Sequence, residues 1–267
     1  MYIFFAPAVV LFLVMFAVPL AFVVGTSFMA PEWSLEQYER LTADGLVLKI
    51  LINTLEISAS ATAITLLIGF PVAYHLARQT PKMRALLLLL VMLPLWTSIL
   101  VKSFAFIVLL GREGIVNSML QGLFGPSAQV PLLFNRVGVI IGMAHYLLPF
   151  MILTTLGSLL ALDPALKRAA EIMGASKLRV FVTVTLPSCL PGLMAGTLIC
   201  MILSFGMFIT PVLLGGRGDI MIANLIELNV NQVLDWAFAS ALAILLIVLT
   251  ALFVLGLAKA RKGELFD

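Results

Sequence analysis

The chain has 267 residues, of which 62% are hydrophobic and 11% are charged, and its mean hydropathy is +1.16. An average globular chain is about 45–50% apolar and about 25% charged. This composition therefore excludes a soluble enzyme, a secreted module and a disordered regulator. The net charge of +3 does not indicate nucleic-acid binding, because basic residues in a membrane chain act as a sorting signal. We predict an all-α polytopic membrane protein.

Six apolar stretches are long enough to cross the membrane, since about 30 Å of hydrocarbon needs roughly 20 helical residues. The predicted spans are Tyr2–Phe28, Thr54–Ala77, Ala85–Leu110, Val137–Leu162, Pro191–Leu214 and Trp236–Ala258. These runs are too long and too uniform for the alternating segments of a β-barrel. The first lacks the basic n-region of a signal peptide, so we interpret it as a retained span. Residues 1–267 then form a single transmembrane domain.

The connectors that separate the predicted spans differ in character. The predicted connectors are Met29–Asn53, Arg78–Arg84, Gly111–Arg136, Asp163–Leu190 and Gly215–Asp235, with a tail from Lys259. Within the third of them, the amphipathic piece Ile115–Phe124 is typical of a helix that lies along a membrane interface.

The basic residues predict the orientation. Six spans place both termini on one side, and ten basic residues share that side: Arg78, Lys82, Arg84, Lys167, Arg168, Lys177, Arg179, Lys259, Arg261 and Lys262. Five lie on the other side: Arg40, Lys49, Arg112, Arg136 and Arg217. The richer side is cytoplasmic by the positive-inside tendency, so both termini are predicted to be cytoplasmic.

The long inner connector, residues 163–190, carries two helix signals. Asp163 followed by Pro164 predicts a helix start, and Gly174 is placed to end that helix after Met173. Ser176 can cap a second helix, which Leu186-Pro187 is predicted to halt. The loop is then either an interfacial segment that touches lipid headgroups or a docking element for a cytoplasmic partner. Its candidate apolar knobs are Leu166, Met173, Leu178 and Phe181.

The segment Ala169–Pro187, which reads AAEIMGASKLRVFVTVTLP, resembles the "EAA" loop of ABC importer permeases. The runs Asn53-Thr54 and GFPVAYHLAR at 69–78 are similar to the same family. Three further runs, PLWTSILVK at 94–102, GREG at 111–114 and TPVLLGG at 210–216, resemble its polyamine and opine branch. The likeness covers nearly the whole chain. One position departs from the pattern, because Arg168 stands where the motif normally has glutamate.

The resemblance implies a six-helix fold of the type I ABC importer permease kind in a bacterial inner (plasma) membrane. Its implied partners are a dimer of ATPase subunits, which carry the ATP and Mg²⁺, a second permease chain in a heterodimer, and a periplasmic or surface solute-binding protein. The loop would form the coupling helix that sits in a groove of the ATPase. The implied coupling residues are Arg168, Ala169, Ala170, Glu171, Gly174, Ala175, Leu178 and Phe181.

Lys102 is the one basic residue inside a predicted span. An intramembrane charge costs at least about 2.5 kcal/mol on insertion scales, so it generally has a use. Lys102 either snorkels to the membrane surface or lines a water-filled path, and Glu56 is a candidate partner for it. A lysine in the path would repel cationic solutes and favour anions, which runs against the polyamine resemblance.

Other polar or irregular positions give weaker signals. Trp96 and the pair Thr210-Pro211 are candidate path or gate residues, the latter as a hinge in the fifth span. His145 is read as a hydrogen-bonded helix contact rather than a proton relay. The glycine pairs Gly138/Gly142 and Gly192/Gly196 are interpreted as sites of close helix packing within the chain. Cys189 and Cys200 are interpreted as small buried apolar residues.

The sequence contains no GxxxxGK[ST], HExxH or GxSxG pattern and no metal-ligand cluster, so we expect neither an ATPase site nor a catalytic, metal or cofactor site in this chain. The leading hypothesis is the pore-forming subunit of an ABC importer that moves a small, polyamine-like organic solute inward. The alternative is a nucleotide-independent secondary transporter or channel. An intramembrane enzyme lacks any catalytic constellation.

Overall fold

The computed structural model describes residues 6–30, 32–43 and 45–263. Residues 2–5 of the predicted first span, Pro31 and Asp44 of the first connector, and the last four residues of the tail lie outside that part of the chain. The described residues fold as a helical bundle. A two-residue antiparallel pair, β1 (Met29–Ala30) with β2 (Glu32–Trp33), follows the first helix.

The helices follow one another with short connections. Their bounds are α1 Ala6–Ser27, α2 Glu36–Ala43, α3 Gly45–Ala77, α4 Pro81–Trp96, α5 Ile99–Leu110, α6 Ile115–Phe124, α7 Arg136–Ala161, α8 Pro164–Ile172, α9 Lys177–Val180, α10 Leu186–Phe205, α11 Ile209–Leu214, α12 Ile222–Leu228 and α13 Trp236–Gly263. Two π-helical segments, Phe181–Thr185 and Asn229–Val233, join α9 to α10 and follow α12.

As far as the structure describes them, four of the six predicted spans are single helices, the third is bent, and the fifth is interrupted between α10 and α11. Among the described residues, five helical stretches are long and apolar enough to cross a membrane, and α4 with the helices after it forms a sixth, bent by 96°. The span predicted over Ala85–Leu110 is therefore present, but it is not one continuous helix. The break lies at Thr97 and Ser98, whose backbones are extended. Ile115–Phe124 is a helix, as predicted.

Three further boundaries differ from the sequence prediction. α3 begins at Gly45 rather than Thr54, because Val47 and Ile50 are buried against α12 and α13. α4 begins at Pro81, inside the predicted connector Arg78–Arg84, because a proline suits the first helical position. The fifth span begins at Lys177 and is interrupted after Phe205, so the second half of the connector predicted over residues 163–190 belongs to the span.

The core runs along α3, α7 and α10, the three most heavily packed helices. One buried cluster at mid-length contains Ile57, Met143, Leu147, Met151 and Cys200 among others. A second cluster lies near the start of α3, and a third near its end, where Cys189 is buried. Both cysteines are free and buried, as predicted.

The two glycine pairs bring helices into close contact within the chain, as predicted. A Cβ added to Gly142 would lie 2.8 Å from Thr210 Cγ2, and one added to Gly196 would lie 2.5 Å from Thr154 Oγ1. The first pair therefore packs α7 against α11, and the second packs α10 against α7. The end of the bundle that carries Gly174 is called the elbow end below, and the opposite end is called the far end.

Candidate functional site

The turn between α8 and α9 is built by local sequence. Asp163 accepts a hydrogen bond from Ala165 N at 2.8 Å and starts α8. At the other end of α8, Ala175 N donates to Ala170 O at 3.1 Å and Gly174 N donates to Glu171 O at 3.0 Å. This pair of bonds is a Schellman motif, which needs a left-handed residue, and Gly174 has φ +84°. The predicted glycine elbow is confirmed.

The elbow presents apolar side chains to the exterior. Ile172 is 86% exposed, Met173 81%, and Leu178 is also largely exposed. Of the predicted coupling residues, Arg168, Ala169, Glu171 and Gly174 are exposed, Ala175 is intermediate, and Ala170 is buried. Exposed large apolar side chains grouped on a short projecting segment are typical of an interaction surface. Sequence reasoning missed Ile172, although it directly precedes the predicted knob Met173.

Phe181 does not belong to that exposed surface. Its ring is half-buried and packs against Tyr74 (centroids 5.5 Å apart) and Phe70 (5.9 Å) of α3. Of the predicted apolar knobs, Phe181 therefore faces the bundle instead of the exposed surface of the elbow. The guanidinium of Arg78 also lies over the Tyr74 ring, 5.5 Å from its centroid. The signal that could have found this contact is the aromatic pair at positions 70 and 74, one helical turn apart.

The predicted halt at Leu186-Pro187 is also wrong. The segment Phe181–Thr185 is π-helical, and Leu186 N donates to Phe181 O. A π-turn pairs residues five apart, so Pro187, which has no N–H, falls where the helical bonding is already altered. Lys177–Phe205 is therefore one helical stretch of 29 residues that leads from the elbow into the bundle.

A charged cluster ties three elements together at the far end. Arg136, at the start of α7, donates from Nε to Asp219 Oδ1 at 3.2 Å and from Nη2 to Asn53 Oδ1 at 2.7 Å, and it also pairs with Glu56. Asn53 Nδ2 donates in turn to Gly218 O at 2.6 Å. The candidate pairing of Glu56 with Lys102 is therefore wrong. Sequence reasoning missed this cluster, whose members are far apart in sequence.

Lys102 lies at the break between α4 and α5. Its Nζ donates to Pro94 O at 2.7 Å and lies 5.0 Å from the centroid of the Tyr146 ring. Thr97 Oγ1 donates to the same carbonyl at 3.0 Å. Pro94 belongs to the last turn of α4, whose carbonyls lack helical partners and carry partial negative charge. In this structure the ammonium therefore caps a helix end.

The remaining candidate path residues are spread around this break. Trp96, the last residue of α4, is largely exposed. Thr210 and Pro211 are buried in the first turn of α11, and the chain is interrupted before them, at Gly206–Phe208. The interruption in the fifth span is thus displaced from the predicted hinge. A proline in a first turn disturbs no helical bond, which explains the displacement.

His145 packs beside the Lys102 site. Its ring meets the Phe106 ring edge-on, with centroids 5.2 Å apart. The hydrogen bond expected for His145 is not seen within the described residues, where its buried Nδ1 has no partner.

An open cleft of about 320 Å³ adjoins this region, between α5, α7, the end of α10 and the start of α11. It is lined by Ile99, Tyr146, Ile202, Leu203, Gly206, Met207, Phe208 and Ile209. Irregular backbone at membrane depth is tolerated only where it is buried in protein or lines a water-filled cavity. The cleft beside the interruption at Gly206–Phe208 is therefore the best candidate in this chain for part of a translocation path.

Within residues 6–30, 32–43 and 45–263, no group of three His, Cys, Asp or Glu side chains could hold a metal ion. What the described residues do bring together is a bundle of membrane-spanning helices with an exposed apolar elbow at one end and two interrupted spans. This combination defines a membrane transport subunit.

A family model described as the inner membrane component of binding-protein-dependent transport systems matches residues 65–260. The chain belongs to this family, and it is a pore-forming permease subunit of an ABC importer. The spermidine/putrescine transport system permease protein PotB of Haemophilus influenzae is 38% identical over 238 residues, which cover 89% of this chain and 83% of that protein.

PotB of Escherichia coli K12 is 33% identical over 252 residues, or 91% of each chain. Among solved structures, a bacterial ABC transporter involved in the import of the acidic polysaccharide alginate matches with a TM-score of 0.77 and 19% identity. The match covers 98% of this chain and 94% of that one. At this identity the structural likeness supports the fold alone, and it confirms the predicted six-helix permease architecture.

Proposed function

We propose that this chain forms part of the translocation path of an importer for small, polyamine-like organic cations. Its partners in this proposal are a second permease chain in a heterodimer, a dimer of ATPase subunits that bind ATP and Mg²⁺, and a solute-binding protein. The family description names binding-protein-dependent transport, and the two PotB relatives are spermidine/putrescine permeases by name, which supports the class of solute. ATP hydrolysis takes place on the separate subunit.

The observation that carries the proposal is the exposed elbow. The segment 163–190 projects Ile172, Met173 and Leu178 outwards, while the Schellman motif at Gly174 fixes the angle between α8 and α9. A rigid projection with an apolar tip suits a groove on an ATPase subunit. The alternative, an interfacial lipid contact, would not need a fixed elbow. In this proposal the elbow end and both termini lie in the cytoplasm, and the distribution of basic residues supports that orientation.

Two contacts carry movement from the elbow into the spans. The first is the unbroken helical stretch Lys177–Phe205, which ends at the interruption beside the cleft. The second is the ring of Phe181, which presses on Tyr74 and Phe70 of α3. When the ATPase dimer closes, displacement of the elbow reaches both α10 and α3. The cleft then alternates between the two sides of the membrane.

Replacement of Gly174 by valine tests this mechanism. A Cβ at Gly174 meets no atom within 4 Å, so the effect is confined to the left-handed backbone, which costs an L-residue roughly 1–2 kcal/mol. We expect Gly174→Val to insert normally, to bind the ATPase more weakly and to lose ATP-driven uptake. Gly256→Val in α13 is the matched control, since it also meets open space but has an ordinary helical backbone. Equal uptake by the two variants would contradict the coupling role.

A second measurement separates the importer from its alternative. Vesicles that contain this chain alone should show no solute flux, and uptake should appear only when the ATPase, the second permease and the binding protein are added with ATP. Nucleotide-independent flux through this chain alone would favour a secondary transporter or channel.

A further inference from the structure

The environment of the Lys102 ammonium has the parts of a binding site for a primary ammonium ion. It offers a backbone carbonyl, Pro94 O, at 2.7 Å, and an aromatic face, Tyr146, at 5.0 Å. It also lies at the negative end of α4, which ends at Trp96. Carbonyls and C-terminal helix ends at interrupted spans suit cations, and aromatic faces attract them. The occupant here is the chain's own lysine.

This site opens towards the candidate path. Ile99 and Tyr146 line both the small cavity around Lys102 and the open cleft. The cleft is also lined by Ile202 and Leu203 from the last turns of α10, a second negative helix end. Among the residues that the structure describes, no acidic side chain lines the cleft or the small cavity. A cation that enters the cleft therefore reaches the Tyr146 ring, which the Lys102 ammonium already contacts.

The lysine can leave this site without orphaning the carbonyl. Thr97 Oγ1 donates to Pro94 O at 3.0 Å and remains when Lys102 moves away. The Lys102 side chain is only partly buried and has a flexible four-carbon stem. A residue needed only as a helix cap would not require this second donor.

We propose that the Pro94 carbonyl and the Tyr146 ring form a primary-ammonium site, that Lys102 fills it as a tethered placeholder, and that an ammonium group of the transported solute takes it by displacing the lysine. The identity of the solute rests on the proposed function, whereas the existence of the site does not. In this proposal Lys102 does not exclude cations from the path, because it stands where one of them binds.

The test uses Lys102→Ala in the assembled transporter in lipid nanodiscs, with propylammonium as the probe. The substitution removes three methylenes and the ammonium, which propylammonium replaces. We expect propylammonium to raise the apparent melting temperature of Lys102→Ala, with half-saturation at a concentration at least about tenfold lower than in the wild type. Tetramethylammonium, which has the same charge but no N–H, should not do so. Lys82→Ala, at an exposed lysine, is the control and should respond like the wild type.

A second pair of variants tests the ring. In the Lys102→Ala background, Tyr146→Phe keeps the aromatic face and should keep the response, while Tyr146→Leu should abolish it. The proposal is overturned if propylammonium fails to stabilise Lys102→Ala, if tetramethylammonium works equally well, or if Tyr146→Leu changes nothing. Should Lys102→Ala assemble poorly, recovery of the complex by propylammonium during purification is the equivalent result, and failure to recover it overturns the site.

Putrescine separates this inference from the proposed function. If propylammonium stabilises Lys102→Ala but the wild-type complex does not import putrescine or spermidine, the ammonium site stands and the class of solute is wrong. If the wild-type complex imports putrescine but neither propylammonium nor putrescine stabilises Lys102→Ala, the class of solute stands and the site is overturned.

Discussion

Arg136 donates from Nε to Oδ1 of Asp219 at 3.2 Å, which joins the start of α7 to the turn that follows α11. Oδ2 of the same carboxylate accepts from Gly216 N at 3.0 Å and closes that turn. Asp219 therefore serves both as a turn residue and as an anchor for the short helix after the interrupted span. One nearly buried carboxylate therefore holds the turn at residues 216–219 in place.

Replacing Asp219 by asparagine should loosen this turn. The Asp219 side chain is only 12% exposed, and weakening its bonds to Arg136 and Gly216 costs about 1–3 kcal/mol. Hydrogen–deuterium exchange over residues 215–221 should become faster in the variant. Glu56→Gln is the control, because Glu56 is 54% exposed and its pair with Arg136 is worth about 0–1 kcal/mol. Equal exchange in the two variants would contradict the anchoring role.

Gly192→Ala should weaken the packing of α10 on α7. An added Cβ would lie 2.6 Å from the backbone oxygen of Thr154 and would also meet the Ser158 hydroxyl. A carbonyl cannot swing aside, so we expect the helices to separate, at a cost of about 1–3 kcal/mol. Thermal unfolding of the purified complex measures this loss. Gly157→Ala, at a helical glycine with no atom within 4 Å, should unfold like the wild type.

Phe181→Ala should separate ATP hydrolysis from transport. The substitution removes the ring contacts with Tyr74 and Phe70, each worth about 0.5–1.5 kcal/mol beyond area burial. It leaves the exposed elbow surface intact. We expect ATPase binding to persist while solute moved per ATP falls roughly tenfold, the factor for about 1.4 kcal/mol. Val182→Ala, at an exposed neighbour, should keep normal coupling, and a matching loss there would remove Phe181 from the transmission path.

Asn117→Ala should release the loop after α6. Asn117 is fully buried; its Nδ2 donates to Gly111 O at 3.0 Å, and its Oδ1 accepts from Val130 N at 2.9 Å. Gly111 O keeps the bond that it accepts from Gly114 N at 2.9 Å, but Val130 N loses its partner, which costs about 1–3 kcal/mol. Limited proteolysis between residues 125 and 135 should accelerate. Ser118→Ala removes an exposed hydroxyl beside it and should be cut at the wild-type rate.

The elbow could be predicted because its causes are local. Asp163, Pro164, Gly174 and Ser176 each act on backbone groups within a few residues, and each does so in the structure. The inward direction of Phe181 could not be predicted in the same way. It depends on the π-helical segment, which shifts the phase of the helix, and on aromatic partners more than a hundred residues away.

The interruptions of the spans were the harder part to predict. Composition alone makes Ala85–Leu110 one apolar run, and nothing in a hydropathy pattern marks Thr97 and Ser98 as a bend of 96°. The contact of Lys102 with the Pro94 carbonyl could not be predicted for the same reason, because in one continuous helix these two groups would lie far apart. Hydropathy measures how apolar a stretch of sequence is, whereas the position of the bend depends on contacts with neighbouring helices.

The pairing of α1 with α13 bears on how the protein is made. None of the residues in the most apolar 18-residue stretch of α1 is buried, and the helix packs against α13. The ribosome delivers α1 to the translocon long before residue 236 is translated. Until then α1 lacks the helix that it packs against, so this pairing can form only after α13 has been synthesised.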